Sequence, residues 1–130
     1  KVRGPLGTPL FLAPEAFEES GFNEKIDVYA FAITCWIIAN QKLPYIDVPM
    51  LEIIPRVISG MRPTPALPSG HPLKKIVEES WNSRPSKRPG FSEIYDNLQR
   101  LIAPSIEARL TRVNSSVSLK QRLFGLFTGK

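Results

Sequence analysis

Few residues in this chain could act as a nucleophile, a base or a metal ligand. The 130 residues include one histidine, His71, and one cysteine, Cys35. His71 is flanked by Gly70 and Pro72, which is typical of a loop at the start of a helix, and Cys35 lies inside an apolar run. A metal site needs several ligands close together, and a cysteine nucleophile needs a base beside it. The sequence therefore supports neither a metal site nor a Cys–His nucleophile.

Three short motifs carry more information than any single residue. They are Gly7 to Glu15 (GTPLFLAPE), Asp27 to Ile33 (DVYAFAI), and Trp81 followed by Arg88-Pro89. Each alone could occur by chance, but their order and spacing resemble the C-lobe of a protein kinase. The resemblance identifies them as the end of the activation segment, the start of the central helix, and the approach to the last helix. It covers residues 4–103.

The resemblance gives Glu15 and Arg88 a structural role. In kinases the corresponding glutamate and arginine form a buried ion pair. A bidentate carboxylate–guanidinium pair suits such a role, because it fixes geometry as well as charge. We expect the pair to tie the activation segment to the far end of the lobe, without a catalytic role. The alternative is that both are ordinary surface charges.

Three further residues take their roles from the same resemblance. The aspartate matching Asp27 anchors the catalytic loop in kinases. Because that loop is expected to be missing here, Asp27 should be a partly buried carboxylate without partners, in a helical first turn where the helix dipole favours an acid. Thr8 and Pro9 match the substrate-facing loop of Ser/Thr-type kinases, so protein substrates are expected there. Thr8 could instead be phosphorylated or be a plain loop residue.

The chain also departs from the usual kinase pattern at four positions. Phe11 replaces Tyr, Tyr29 replaces Trp, Ala30 replaces Ser, and Ala32 replaces Gly. The aromatic exchanges roughly preserve volume and should be tolerated. The extra methyl of Ala32 would lie where the catalytic loop approaches, which indicates a divergent site. The Trp81 to Arg88 spacing is most similar to the tyrosine-kinase-like group.

The motifs that perform phosphoryl transfer do not occur in this sequence. Kinases need a glycine-rich loop, a strand lysine, a catalytic loop with Asp and Asn, and a metal-binding Asp-Phe-Gly. The aspartates Asp27, Asp47 and Asp96 lie in no such motif. We therefore expect no catalytic, cofactor-binding or metal-binding residue here. ATP and Mg belong to the intact kinase, and the N-lobe and catalytic loop are the missing partners.

The elements that must position these residues are all predicted to be helical. The expected helices run from Pro14 to Ser20, over 24–40 after an Asn23 N-cap, between Pro49 and Gly60, over 72–82, and from Gly90 to Pro104. Pro55 predicts a kink or a late start in the third of these. The run 26–39 is apolar on nearly every side and too short to span a membrane, so it should be buried. The expected fold is all-α as present: the helical C-lobe portion of the α+β kinase fold, without its N-lobe.

Residues 104–130 differ from the rest of the chain. They hold five basic residues and one acidic residue, and so carry most of the net charge of +5. The positive charge is therefore no argument for nucleic-acid binding by the expected domain, residues 1–103. The tail could be a weak membrane-surface or partner helix, a frayed terminus, or a segment packed on the domain. The single cysteine fits a reducing, cytoplasmic location.

Two functions remain open at this point. The chain could be part of a kinase that transfers the γ-phosphoryl group of ATP to protein Ser or Thr, and it would be inactive by itself. Alternatively, it could be a non-catalytic half-kinase that acts as a protein-binding module. A fragment should expose apolar surface and aggregate, whereas a module should be soluble and melt cooperatively.

Overall fold

The computed structural model describes residues 9–17, 21 and 23–128, with side chains described as far as residue 117. In these residues the helices are α1 (Lys25–Asn40), α2 (Met50–Ile58), α3 (Lys74–Ser80) and α4 (Phe91–Thr128). Short 3-10 turns occupy Pro9–Phe11, Pro14–Phe17 and Pro85–Lys87. No strand occurs in this part of the chain, so the predicted helical class is confirmed.

The chain divides into two compact units after Ile94. The first contains α1 to α3 and the first residues of α4, and its core consists of two adjoining apolar clusters. The second is the remainder of α4. The sequence boundary expected at residues 103 and 104 stays a prediction, because a division into compact units does not define a family domain.

Helix α1 supplies the centre of the core in the first unit. Its buried side chains include Tyr29, Ile33 and Trp36, each with no exposed surface. The prediction that α1 is buried all round is wrong, because Thr34 is exposed and Ile38 is 66% exposed. The turn before α1 also differs slightly from expectation. The side chain of Asn23 accepts a bond from the Lys25 backbone N–H, but the residue directly before the helix is Glu24.

Helix α2 runs through Pro55 and does not start late. It begins at Met50, and the proline occupies an interior position with an exposed side chain. Ile53 and Val57, one turn apart on one face, are buried in the core. This burial holds the helix together despite the backbone hydrogen bond that a proline removes.

Hydrogen bonds from side chains to backbone carbonyls hold the connection between α2 and α3 in place. Trp36 Nε1 donates to the Pro65 carbonyl at 2.9 Å, and Lys74 Nζ donates to the Leu67 carbonyl at 2.8 Å. Helix α3 is shorter than the predicted 72–82. It starts after Leu73 and ends before Trp81, whose ring packs against both core clusters.

Two other helix predictions need correction. The segment from Pro14 forms only a 3-10 turn to Phe17, and the rest of that predicted helix lies outside the described residues. Pro104 does not end the last helix, which continues to Thr128. The carbonyl that loses its partner at Pro104 belongs to Arg100, an exposed residue, so water can replace the missing donor. Among the described residues, no helix is long and apolar enough to cross a membrane.

Candidate functional site

The two residues paired by the resemblance lie together in the structure. The turn Pro14–Phe17 carries Glu15, and Arg88 directly follows the turn Pro85–Lys87. Arg88 Nη2 donates to Glu15 Oε2 at 2.8 Å, and Arg88 Nη1 donates to Glu15 Oε1. Glu15 is 5% exposed and Arg88 is 2% exposed. We call this bidentate pair the Glu15–Arg88 clamp.

Two further donors of Arg88 are used within the protein. Its Nε donates to the Asn82 carbonyl at 2.8 Å, and its Nη1 also donates to the Lys25 carbonyl at 2.8 Å. Lys25 returns the contact, since its Nζ donates to the carbonyls of Arg88 and Pro89 at 3.0 and 3.1 Å. The clamp therefore joins three segments: the turn at Glu15, the start of α1, and the loop before α4.

A buried tyrosine lies beside the clamp. The Cζ atoms of Arg88 and Arg62 each lie 5.1 Å from the Tyr29 ring centroid, within the range of cation–π attraction. Burial raises the pKa of the Tyr29 phenol, and the charges of Arg62 and Arg88 only partly oppose that rise. Burial also raises the pKa of the Tyr45 phenol, with the neighbouring Tyr29 adding to the effect. Both phenols therefore stay neutral at physiological pH.

Arg62 is a second fixed guanidinium beside Tyr29. Its Nε donates to the Trp81 carbonyl at 2.8 Å, and its Nη1 donates to the carbonyls of Met61 and Val57 at 2.8 and 3.2 Å. Its Nη2 donates to Ser83 Oγ at 2.9 Å. Among the described residues no carboxylate lies within ion-pair distance of Arg62. Within the described part of the chain, its hydrogen-bond acceptors are all neutral oxygens.

The other predicted site residues are placed less centrally. Asp27 is exposed, so the expectation of a partly buried carboxylate is wrong. At about 100° per residue, Asp27 lies on the opposite side of α1 from the buried Ala32 and Trp36. Pro9 begins a 3-10 turn and is half-buried. Thr8 lies outside the described residues.

The hydrogen bonds around the clamp hold backbone segments in position. The two charges of the clamp are paired with each other, and Tyr29 is buried beside them. A neighbouring cleft of about 450 Å³ is lined by residues that include Lys42, Tyr45 and Arg62. No group of three or more potential metal ligands occurs in the part of the chain that the structure describes. The arrangement fixes backbone segments.

Sequence reasoning did not identify Lys25 or Arg62 as members of this site. Lys25 lies two residues before Asp27, just outside the motif Asp27 to Ile33 that carried the interpretation. Arg62 lies in a proline-rich connection, where a single basic residue resembles a solvated one. No sequence signal beside Arg62 identifies it, because its neighbours are Met61 and Pro63 and the ring that it contacts, Tyr29, is distant in the sequence.

Comparison with known proteins assigns a family to this arrangement. The sequence model described as "Protein tyrosine and serine/threonine kinase" matches residues 5–98. That match covers more than half of the chain and includes every member of the site described above.

Individual relatives agree with this match. A "Probable LIM domain-containing serine/threonine-protein kinase" of Dictyostelium discoideum is 38% identical over 96 residues, covering 74% of this chain and 15% of the relative. "Dual specificity protein kinase shkC" of the same organism is 34% identical over 110 residues, covering 83% of this chain and 21% of the relative. The chain thus spans less than a quarter of either relative. It belongs to the protein tyrosine and serine/threonine kinase family.

Proposed function

We propose that this chain is the C-terminal part of the C-lobe of a Ser/Thr protein kinase in the tyrosine-kinase-like group. The whole protein would transfer the γ-phosphoryl group of ATP to Ser or Thr side chains of protein substrates. The observation that carries the proposal is the Glu15–Arg88 clamp. It joins the two residues that the kinase resemblance pairs, across 73 positions of sequence, with bidentate geometry and near-complete burial.

In this proposal the chain contributes positioning to catalysis. The clamp holds the end of the activation segment, so that Thr8 and Pro9 face a protein substrate. The carboxylate of Asp27 receives hydrogen bonds from the catalytic loop. The exposure of Asp27 and of Ile38 on α1 supports this role, because further kinase elements would cover both.

The chain alone is proposed to be inactive. Phosphoryl transfer by kinases depends on bound ATP, on Mg²⁺ and on a catalytic aspartate. The sequence carries none of the motifs that supply these. In the whole protein they come from the N-lobe and the catalytic loop, and a cytoplasmic location would supply the ATP.

The experiment starts from the native transcript. The reading frame upstream of Lys1 is sequenced, and the extended protein is expressed and assayed with Mg-ATP and a Ser/Thr-containing protein substrate. We expect ³²P transfer by the extended protein and none by the 130-residue chain. In the extended protein Arg88→Ala should lose most activity, whereas Arg84→Ala, an exposed change in the same loop, should retain it. Transfer by the short chain, or full activity of Arg88→Ala, would contradict the proposal.

A non-catalytic binding module is the second candidate. A module would present the large apolar side chains exposed on the first unit, with Ile46 at 77% and Leu51 at 91%, to a partner, and a fragment would expose the same surface. Size-exclusion chromatography and thermal melting of the short chain separate the two candidates. A monodisperse chain that melts cooperatively favours the module, and aggregation favours the kinase fragment. A shift of the melting temperature by Mg-ATP would contradict both.

A further inference from the structure

Ser83 has surroundings unlike those of the other exposed hydroxyls that the structure describes. Its Oγ accepts a hydrogen bond from the guanidinium of Arg62 at 2.9 Å. By contrast, the hydroxyls of Thr34 and Thr111 donate to the backbone carbonyl one turn earlier in their own helices, and that of Ser59, directly after α2, donates to the Pro55 carbonyl. Ser83 is thus a hydroxyl already oriented towards a cation.

That cation has no acidic partner among the described residues. Arg62 donates to three carbonyls and to Ser83 Oγ, and none of these neutral acceptors compensates its positive charge. The bond to Ser83 uses one of the two N–H groups on Nη2, so the other can still donate. Hydrogen bonds between a guanidinium and an anionic oxygen are roughly twice as strong as those between neutral groups.

The loop around Ser83 adds further positive charge and holds its shape. Arg84 and Lys87 are both exposed and follow Ser83 closely. The side chain of Asn82 accepts a hydrogen bond from the Arg84 backbone N–H at 2.9 Å. The backbone carbonyl of Asn82 accepts a hydrogen bond from Arg88. An anion at Ser83 would therefore meet one fixed guanidinium and two mobile cations without rearrangement of the loop.

We propose that Ser83 is a phosphorylation site whose phosphate is received by Arg62. Ser83 Oγ forms a bond to the γ-phosphorus of ATP on a modifying kinase, and the bond from that phosphorus to the β–γ bridging oxygen breaks. ADP leaves with the electron pair, and the hydroxyl proton passes to the base of the modifying kinase. The phosphate then links the loop before α4 to the segment that follows α2 through Arg62, close to the Glu15–Arg88 clamp. This proposal does not depend on the proposed kinase activity of the whole protein.

The first test uses the 130-residue chain with phosphoserine incorporated at Ser83, and in a matched control at Ser86. Ser86 is exposed in the same basic loop, and its side chain makes no recorded bond to Arg62. We expect ³¹P NMR titration to give a second phosphate pKa at Ser83 that is lower than at Ser86 by about half a unit or more. This difference in phosphate pKa should disappear with Arg62→Gln. It should be smaller with Arg62→Lys, which keeps the positive charge but lacks the planar set of guanidinium donors.

Urea unfolding provides a readout that does not depend on titration. Phosphate at Ser83 should raise the unfolding midpoint relative to phosphate at Ser86, and the gain should be lost in Arg62→Gln. Because Arg62→Gln could destabilise the fold, each comparison is made between phosphorylated and unphosphorylated chains in the same background. Equal pKa values and equal midpoints at Ser83 and Ser86 would overturn the proposal. So would complete phosphosite mapping of the protein from its native cells that finds Ser83 unmodified.

Discussion

At the scale of single residues, the clamp combines two charges with an asymmetric set of partners. The recorded side-chain contacts of Glu15 are both with Arg88. Arg88 also donates to the carbonyls of Asn82 and Lys25. Removing the arginine strands a buried carboxylate and two backbone carbonyls, whereas removing the glutamate charge leaves an arginine that still has those two acceptors. The two losses should therefore be unequal.

The first prediction tests this asymmetry. Arg88→Met should lower the free energy of unfolding by about 3–5 kcal/mol, the usual cost of breaking a buried pair, and Glu15→Gln should cost less. Urea denaturation followed by tryptophan fluorescence measures both. The double variant should cost less than the sum of the two, because the second change removes a charge that is already unpaired. Arg84→Met is the control and should change stability by less than about 0.5 kcal/mol. Additive losses from the clamp variants would show that the pair contributes little.

At the scale of elements, long apolar patterns were predicted better than helix ends. The run that became α1 was placed within one residue of its observed start, because an uninterrupted apolar segment has few other ways to be buried. The effect of two prolines on helix boundaries was overestimated, because Pro55 and Pro104 both lie inside helices. A proline costs one hydrogen bond, and the packing of Ile53 and Val57 outweighs that cost in α2.

The candidate site was predictable only in part. The resemblance paired Glu15 with Arg88, but the bonds of Lys25 and Arg62 go mainly to backbone carbonyls. Every residue type provides such a carbonyl, so its use leaves no trace in the sequence. The exposure of Asp27 was missed for a different reason. The expectation came from whole kinases, in which other elements cover that side of the helix.

The second prediction concerns Pro55 in α2. Pro55→Ala restores a backbone N–H that can donate to the Leu51 carbonyl, and alanine is the better helix former. Part of this gain in stability is lost, because the unfolded chain without the proline has more conformational entropy. The free energy of unfolding should rise by about 1–2 kcal/mol, measured in urea. Pro49→Ala, at the residue before the helix, is the matched control and should have little effect. A loss of stability in Pro55→Ala would show that the surrounding core depends on the proline.

At the scale of the whole molecule, the first unit holds polar groups in its core. The clamp, Arg62 and two tyrosines lie among the apolar clusters. Charged groups so deep in a small core restrict how the three segments can be arranged, because any other arrangement would bury a charge without its partner. These buried charges therefore favour one arrangement of the turn at Glu15.

The last prediction follows from the buried tyrosines and concerns the stability of the whole unit at alkaline pH. Burial raises the pKa of Tyr29 and of Tyr45 above the ordinary value of 10.0, so the folded state keeps protons that the unfolded state loses. The contribution of these two tyrosines to stability is therefore intact below about pH 10 and falls above it, by up to about 1.4 kcal/mol per pH unit for each, while the raised pKa of the buried Cys35 thiol adds a fall that begins near pH 9. Urea unfolding between pH 8 and 11 measures this slope. Tyr45→Phe should make the slope shallower, whereas Tyr95→Phe, at a tyrosine 61% exposed, should leave it unchanged. Equal slopes in the two variants would mean that Tyr45 ionises as readily in the folded chain as in the unfolded one.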